Sequence, residues 1–579
     1  MKWCALFTLC AAGFAQTPAW VTRSNQNAQI LIDIQARNAP ESAGSSGVTG
    51  LDDQVFLPTA DYRQRVRGEY RAALQELRTR FAAEQDPLVK QDLQILIDEA
   101  DRSVRVSEAG ERLQLFYFNP TAQIYSGISN LLQEQMAPER RPAALVRLRK
   151  YVGMEPGYTP TTELAEQRFR EGLAHPELIG PSRQQVEKDL ANSEAYVTGI
   201  GLLLEKYNLP GYQEVYAKLK QQVAAHDEFV RKEVLPHART DFRMPPELYR
   251  LSLENFGIDY TPEELARLAH QRFGEIQKQL QTLAAKIARE KHLKANGYRE
   301  VIRTLKKDQL APVDILPHYE ARLKDIEAIL RREHLITLPE RPAIIHLATA
   351  AETAQQPAPH MRPPPLLNNH GERGQFVLPM GTTGEGGKSL KYDDFTFAAA
   401  SWTLTSHEAR PGHELQFDAM VERGVSLARA MFAFNSTNVE GWGLYSEWFM
   451  LPYMPEDGQL ISLQFQLLRA ARAFLDPELQ AGKVTPQQAM RILQEDVVCS
   501  EAFATEEVDR FTFGSPGQAG SYFDGYTRLR ALRADVEKAL GAKFNVQRFH
   551  DFVLSQGLLP PNLLRKVVME EFVPQVKGA

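Results

Sequence analysis

The sequence predicts a mainly α-helical protein, and three observations predict it. Over residues 61–333 apolar positions recur with the period of an amphipathic helix, as in the stretches 62–81, 87–107 and 261–294. The same texture resumes near Asp394 and runs to the end. Between them, over 338–392, prolines and glycines separate short apolar runs such as Ala343-Ile344-Ile345-His346-Leu347 and Gln375-Phe376-Val377-Leu378-Pro379, which predict a small sheet near residues 340–380. The 579 residues are 43% hydrophobic and 24% charged, a balance that excludes a disordered or collagen-like chain.

Taken in order, Met1-Lys2 supplies a positive start and residues 3–14 an apolar stretch. Gly13-Phe14-Ala15 then offers a small-x-small cleavage site, so residues 1–15 read as a signal peptide and the mature protein as exported, periplasmic or secreted. Cys4 and Cys10 leave with that segment, and the remaining Cys499 has no intrachain partner. Residues 16–58 lack periodicity, and Ala43-Gly44-Ser45-Ser46-Gly47 is flexible in composition, so this part reads as a flexible lead-in. Residues 59–335 form an N-terminal helical half. Within it, Thr261-Pro262-Glu263-Glu264 carries a capping hydroxyl, a first-position proline and first-turn acids, which together start a helix. Residues 336–579 form a second half containing the sheet and the chemistry.

Lys and Arg total 67 against 73 Asp and Glu, a net charge of -6 spread along the chain, which gives no basic surface for nucleic acid. No stretch after the leader approaches the ~18 apolar residues of a membrane span. No Gly-x-Ser-x-Gly elbow is present, which argues against a serine hydrolase. Gly381-Thr382-Thr383-Gly384-Glu385-Gly386-Gly387-Lys388-Ser389 has one residue too many for a phosphate-binding loop and no helix start after it. It reads as a mobile loop near a cleft.

Two segments concentrate metal-binding residue types: Ser406-His407-Glu408-Ala409-Arg410-Pro411-Gly412-His413-Glu414, and Glu440-Gly441-Trp442-Gly443-Leu444-Tyr445-Ser446-Glu447. Two imidazoles and a carboxylate suit zinc, and a second carboxylate can take a proton from water. Histidines four apart share a helix face, ~40° apart, whereas the six-residue spacing of His407 and His413 puts them ~120° apart on a regular helix. Pro411, which lacks an N–H, and Gly412, which tolerates unusual angles, allow a two-residue bulge that restores the shared face. Without it the pair is two surface histidines beside a kink. Glu440 and Glu447, seven apart, share a helix face, where Trp442 is a packing residue.

These segments resemble a known family. DUF885 proteins, a bacterial family to which zinc-metallopeptidase activity is ascribed, carry His-Glu-x-x-Pro-Gly-His followed by Glu-Gly-Trp-x-Leu-Tyr-x-Glu. Both patterns stand here, as do Pro516-Gly517-Gln518-Ala519 with Tyr522-Phe523-Asp524-Gly525, and the stretch Gly541-Ala542-Lys543-Phe544-Asn545 through Phe549-His550-Asp551. One departure is Glu414, where many members have a second histidine. The resemblance implies a large zincin-like helical body enclosing a cleft, with Zn2+ held by His407, His413 and Glu440. It implies that Glu408 activates the zinc-bound water and that Glu447 and Glu414 stand behind the ligands. Tyr522 or His550 would stabilise the oxyanion, and the strand 375–379 would align a peptide or small-protein substrate by main-chain pairing. The other function class is a non-catalytic helical binding protein that keeps a structural metal site. Glu408 argues against it, since a closed structural site has no use for a general base.

Overall fold

The computed structural model describes residues 18–384 and 388–578, and the architecture is mainly helical, with two small sheets. The expected leader at 1–15 lies outside the described residues. We number the helices that bear on the site: α1 (Ala19–Asn38), α2 (Tyr62–Ala83), α3 (Pro87–Leu113), α4 (Pro262–Glu290), α5 (Pro312–Arg332), α6 (Ala400–Glu408), α7 (His413–Arg423), α8 (Ser436–Met450), α9 (Glu456–Gln480), α10 (Glu501–Asp509), α11 (Ser521–Leu540) and α12 (Val546–Ser555).

Helix α4 starts as its sequence dictates. The Thr261 hydroxyl accepts the Glu264 N–H while the Glu264 carboxylate accepts the Thr261 N–H, a reciprocal cap. Its buried face, Ala269, Ile276, Leu280, Ala284 and Ile287, repeats at three-, four- and seven-residue steps and shares one core with α9 and the sheet. A second core joins α1, α2 and α3 to α7, α8, α11 and α12. Helix α6 contributes Ala400 and Leu404 to the first core, whereas α7 and α8 contribute Leu415, Trp442 and Leu444 to the second. The histidine segment therefore lies on the seam between the cores.

The sheet near 340–380 comprises β1 (Ile344–Leu347), β2 (His360–Arg362) and β3 (Gln375–Leu378) in the order β1-β3-β2. β1 pairs parallel to β3, with Ile344 opposite Gln375, and β2 pairs antiparallel, with His360 opposite Val377. This corrects one expectation. β3 is the central strand and wholly buried, so both of its edges are already paired and it offers none to a substrate. The glycine-rich segment forms a hairpin, β4 (Gly381–Thr383) with β5 (Ser389–Lys391), so a strand follows where a phosphate loop needs a helix. Residues 385–387 are outside the described set.

The flexible lead-in at 16–58 is also corrected. Helix α1 buries Ser24, Asn27, Ala28, Leu31, Ile32 and Ile34, a helical face that looks aperiodic because two of its members are polar. Both are paired: Ser24 donates to Asp92, and Asn27 accepts from Arg80 Nη1 at 2.8 Å. Pro40–Ser45 is a further short helix, whose Glu41 accepts from the Tyr151 hydroxyl at 2.6 Å. No helix among the described residues is long and apolar enough to cross a membrane.

Candidate metal centre

The two histidines meet by a helix break rather than the bulge expected within one helix. α6 ends at Glu408 and α7 begins at His413, with a turn between them containing a cis Arg410–Pro411 peptide. A Cβ on Gly412 would stand 1.8 Å from the His407 carbonyl oxygen, so only glycine fits there. The Trp442 indole N–H donates to the Pro411 carbonyl at 2.9 Å and pins the turn to α8. The imidazoles of His407 and His413 end 4.6 Å apart between centroids and nearly perpendicular.

Glu440, on α8, completes the convergence. Its Oε2 lies 3.4 Å from His407 Nε2 and 3.3 Å from His413 Nε2. His407, Glu408 and His413 each offer a ligand atom within 4.8 Å of one another, and all three are buried. α8 lies close because it carries small residues: a Cβ on Gly443 would meet the His407 ring at 2.6 Å. On the same helix, Gly441 faces Gly525 of α11, whose own Cβ would stand 1.8 Å from the Thr437 carbonyl oxygen. The Glu-Gly-Trp-Gly and Tyr-x-x-Gly patterns are thus the conditions for two close backbone approaches.

Glu447 is fully buried. It accepts from His407 Nδ1 at 2.7 Å, with Thr403 Oγ1 at 2.5 Å and Arg469 Nη2 at 3.3 Å also donating to it. Burial alone would raise its pKa, but Arg469, His407 and Thr403 hold the carboxyl below the ordinary range, so it is an anion. It therefore orients the His407 ring, taking the Nδ1 proton and turning Nε2 toward Glu440. Glu440 is also an anion: burial pushes its pKa up, but hydrogen bonds and charge from the two imidazoles bring it well below the usual range. His407 Nε2, His413 Nε2 and Glu440 Oε2 thus converge on one buried point, where a cation or shared protons balance the carboxylate charge. Nitrogen and carboxylate donors so disposed fit zinc.

Glu408 is 6% exposed, and burial raises its pKa to about 8, a rise opposed by His413 and reinforced by Glu440. The ring of Tyr522, at the start of α11, lies nearly parallel to His407 at 6.1 Å, and its hydroxyl accepts from Arg510 Nη1 at 3.4 Å. Burial, with Glu440 nearby, raises its pKa, so it keeps its proton as a donor.

Two expected residues stand elsewhere. His550 is fully buried: its Nδ1 donates to the Leu335 carbonyl at 2.8 Å and its Nε2 accepts from the Tyr445 hydroxyl at 2.8 Å. With both nitrogens engaged and its pKa lowered to about 3 by burial, it is a neutral packing group with nothing left for an oxyanion. Glu414 turns from the imidazoles to Arg410, which donates to it through Nε at 2.7 Å and Nη2 at 3.1 Å. The sequence reading missed Thr403 and Arg469, which reach the site from the middles of α6 and α9 and carry no local motif.

The family model for DUF885, described as a bacterial protein of unknown function, matches residues 40–568. No curated protein matches the chain. Among solved structures, a protein from Colwellia psychrerythraea described as a candidate lipoprotein superposes with a TM-score of 0.77 at 17% identity, covering 96% of this chain and 99% of that one. One from Shewanella oneidensis, described as a candidate lipoprotein of unknown function, gives 0.64 at 18% identity, covering 96% and 100%. At such identities the likeness is one of fold over the whole chain.

Proposed function

This chain belongs to the DUF885 family, and from that premise we propose that it is an exported zinc-dependent peptidase acting on peptides or small proteins. The observation that carries the reading is the meeting of His407 Nε2, His413 Nε2 and Glu440 Oε2 beside the Glu408 carboxyl, with Glu447 behind His407. Zinc held there supplies a Lewis acid that lowers the pKa of water and draws charge from a carbonyl oxygen. Glu408, buried beside the histidine ligand atoms, is placed to take a proton from the attacking water and return it to the leaving amine. Tyr522 keeps its hydroxyl proton and is the donor assigned to the oxyanion. Export rests on the leader-like residues 1–15 and is supported by the two structural relatives described as candidate lipoproteins.

Elemental analysis of the purified protein, followed by a mass-spectrometric peptide-library screen with and without chelator, tests this reading. One zinc per chain and chelator-sensitive cleavage are expected. One zinc with no cleavage would favour the binding-protein alternative, for which the near-complete burial of both histidines speaks. Full zinc retention by a His407→Ala/His413→Ala double variant would remove the site altogether.

A further inference from the structure

The Pro516-Gly517-Gln518-Ala519 motif takes no part in the chemistry above, yet the fold holds it against the metal centre. The carboxylate of Asp476, on α9, accepts the Gly517 N–H at 2.9 Å and the Ala519 N–H at 3.3 Å. The Ser252 hydroxyl donates to the Pro516 carbonyl at 2.6 Å. Gly517 has φ +92°, in the left-handed region, so glycine is required at the corner. The backbone of the turn is thereby fixed before the side chain of Gln518 does anything.

The amide of Gln518 is then oriented from outside. Arg510 Nη1 donates to its Oε1 at 3.0 Å, and a guanidinium cannot accept, so the oxygen must face Arg510. The NH2 group therefore faces the other way. Nε2 donates to Ser436 Oγ at 3.0 Å and to Glu440 Oε1 at 3.4 Å. The other oxygen of Glu440, Oε2, is the one that approaches both histidines. Each carboxylate oxygen thus has its own task, and Arg510 sets which is which.

We infer that Gln518 is a positioning residue for Glu440: its amide, oriented by Arg510, occupies Oε1 and turns Oε2 toward the metal. The inference rests on the zinc reading of the site. It gives Glu440 what Glu447 gives His407, an outer partner that fixes the orientation of a ligand, and losing such a partner typically costs roughly 10- to 100-fold in metal affinity.

Gln518→Met keeps the length of the side chain and removes the amide. In competition with a chromogenic chelator, the zinc dissociation constant of the whole protein should rise roughly 10- to 100-fold, the scale of lost outer-shell contacts. The unfolding midpoint of chelator-treated protein should fall only by what the lost hydrogen bonds to Arg510 and Ser436 contribute, well short of the loss in zinc affinity. Ser436→Ala, which removes the other acceptor of the same amide and leaves Glu440 alone, should retain zinc affinity. If Gln518→Met does not fold, Gln518→Ala is measured in the same way. Wild-type zinc affinity in the Gln518 variant overturns the inference, and so does a loss matched by equal destabilisation of the metal-free protein, the mark of a purely structural role. A wild type that binds zinc but cleaves nothing removes the peptidase reading and leaves the Gln518 comparison intact. A wild type that binds no zinc removes both.

Discussion

Glu408 and His550 are both buried and ionisable, yet burial shifts their pKa values in opposite directions. Glu408 lies beside the candidate ligand atoms of His407 and His413, so on the proposed peptidase reading Glu408→Gln should keep zinc while turnover falls at least ~10²-fold, the usual worth of a general base. Single-turnover assays on any peptide cleaved by the wild type, with zinc content measured alongside, check this. His550 is held neutral, its pKa lowered by burial from the ordinary 6.5 to about 3. Between those values the unfolded chain binds a proton that the folded chain refuses. Its contribution is complete above about pH 6.5 and is lost as the pH falls toward 3, by at most roughly 1.4 kcal/mol per pH unit. His550→Asn, which cannot titrate, should show a shallower decline of stability in urea titrations at pH 7.5, 6 and 5. Parallel declines in the two proteins would refute the buried neutral histidine.

The elements around the site fit by close approach, and two glycines on facing helices set how closely they approach. Gly443→Ala would place a methyl 2.6 Å from the His407 ring, which must then swing off Glu447. Zinc affinity should drop together with about 1–3 kcal/mol of stability, the range for overpacking. Gly525→Ala meets the Thr437 carbonyl, backbone against backbone, and should lower the unfolding midpoint more, because neither partner is a flexible side chain. Calorimetry of the two variants, with and without zinc, ranks them. At this scale much was legible in the sequence. The His407 to His413 spacing, with Pro and Gly between, announced that a regular helix could not run through, and the seven-residue step from Glu440 to Glu447 placed both acids on one helix. What the sequence hid was direction. Glu414 is adjacent to His413 yet turns to Arg410, and Thr403 and Arg469 arrive from helix interiors, because partner choice there depends on tertiary approach.

Across the whole molecule, the two halves expected on either side of residue 335 do not keep separate cores. The second core takes residues from Ala28 on α1, from α3, from the end of α5, and from Leu415 through Val576. Arg429 joins these parts, donating to Asp92 at 2.9 Å and to Gln556 at 3.0 Å, while the Leu427 N–H donates to Asn25 at 2.8 Å. The helical class was readable from periodicity, but this interleaving was not, because α1 buries Ser24 and Asn27 among its apolar residues and so hides its own period. Leu31→Ala, at a fully buried position, should cost about 2–5 kcal/mol in urea titration, whereas a flexible lead-in would register nothing there. The same interleaving has a consequence in time. Helix α1 precedes the surface it needs, which includes Leu427 and Ala428, and shares its core with Phe572 and Val576. Asn25 and its partner Leu427 lie 402 positions apart, so α1 can settle on that surface only after the stretch between them has been synthesised.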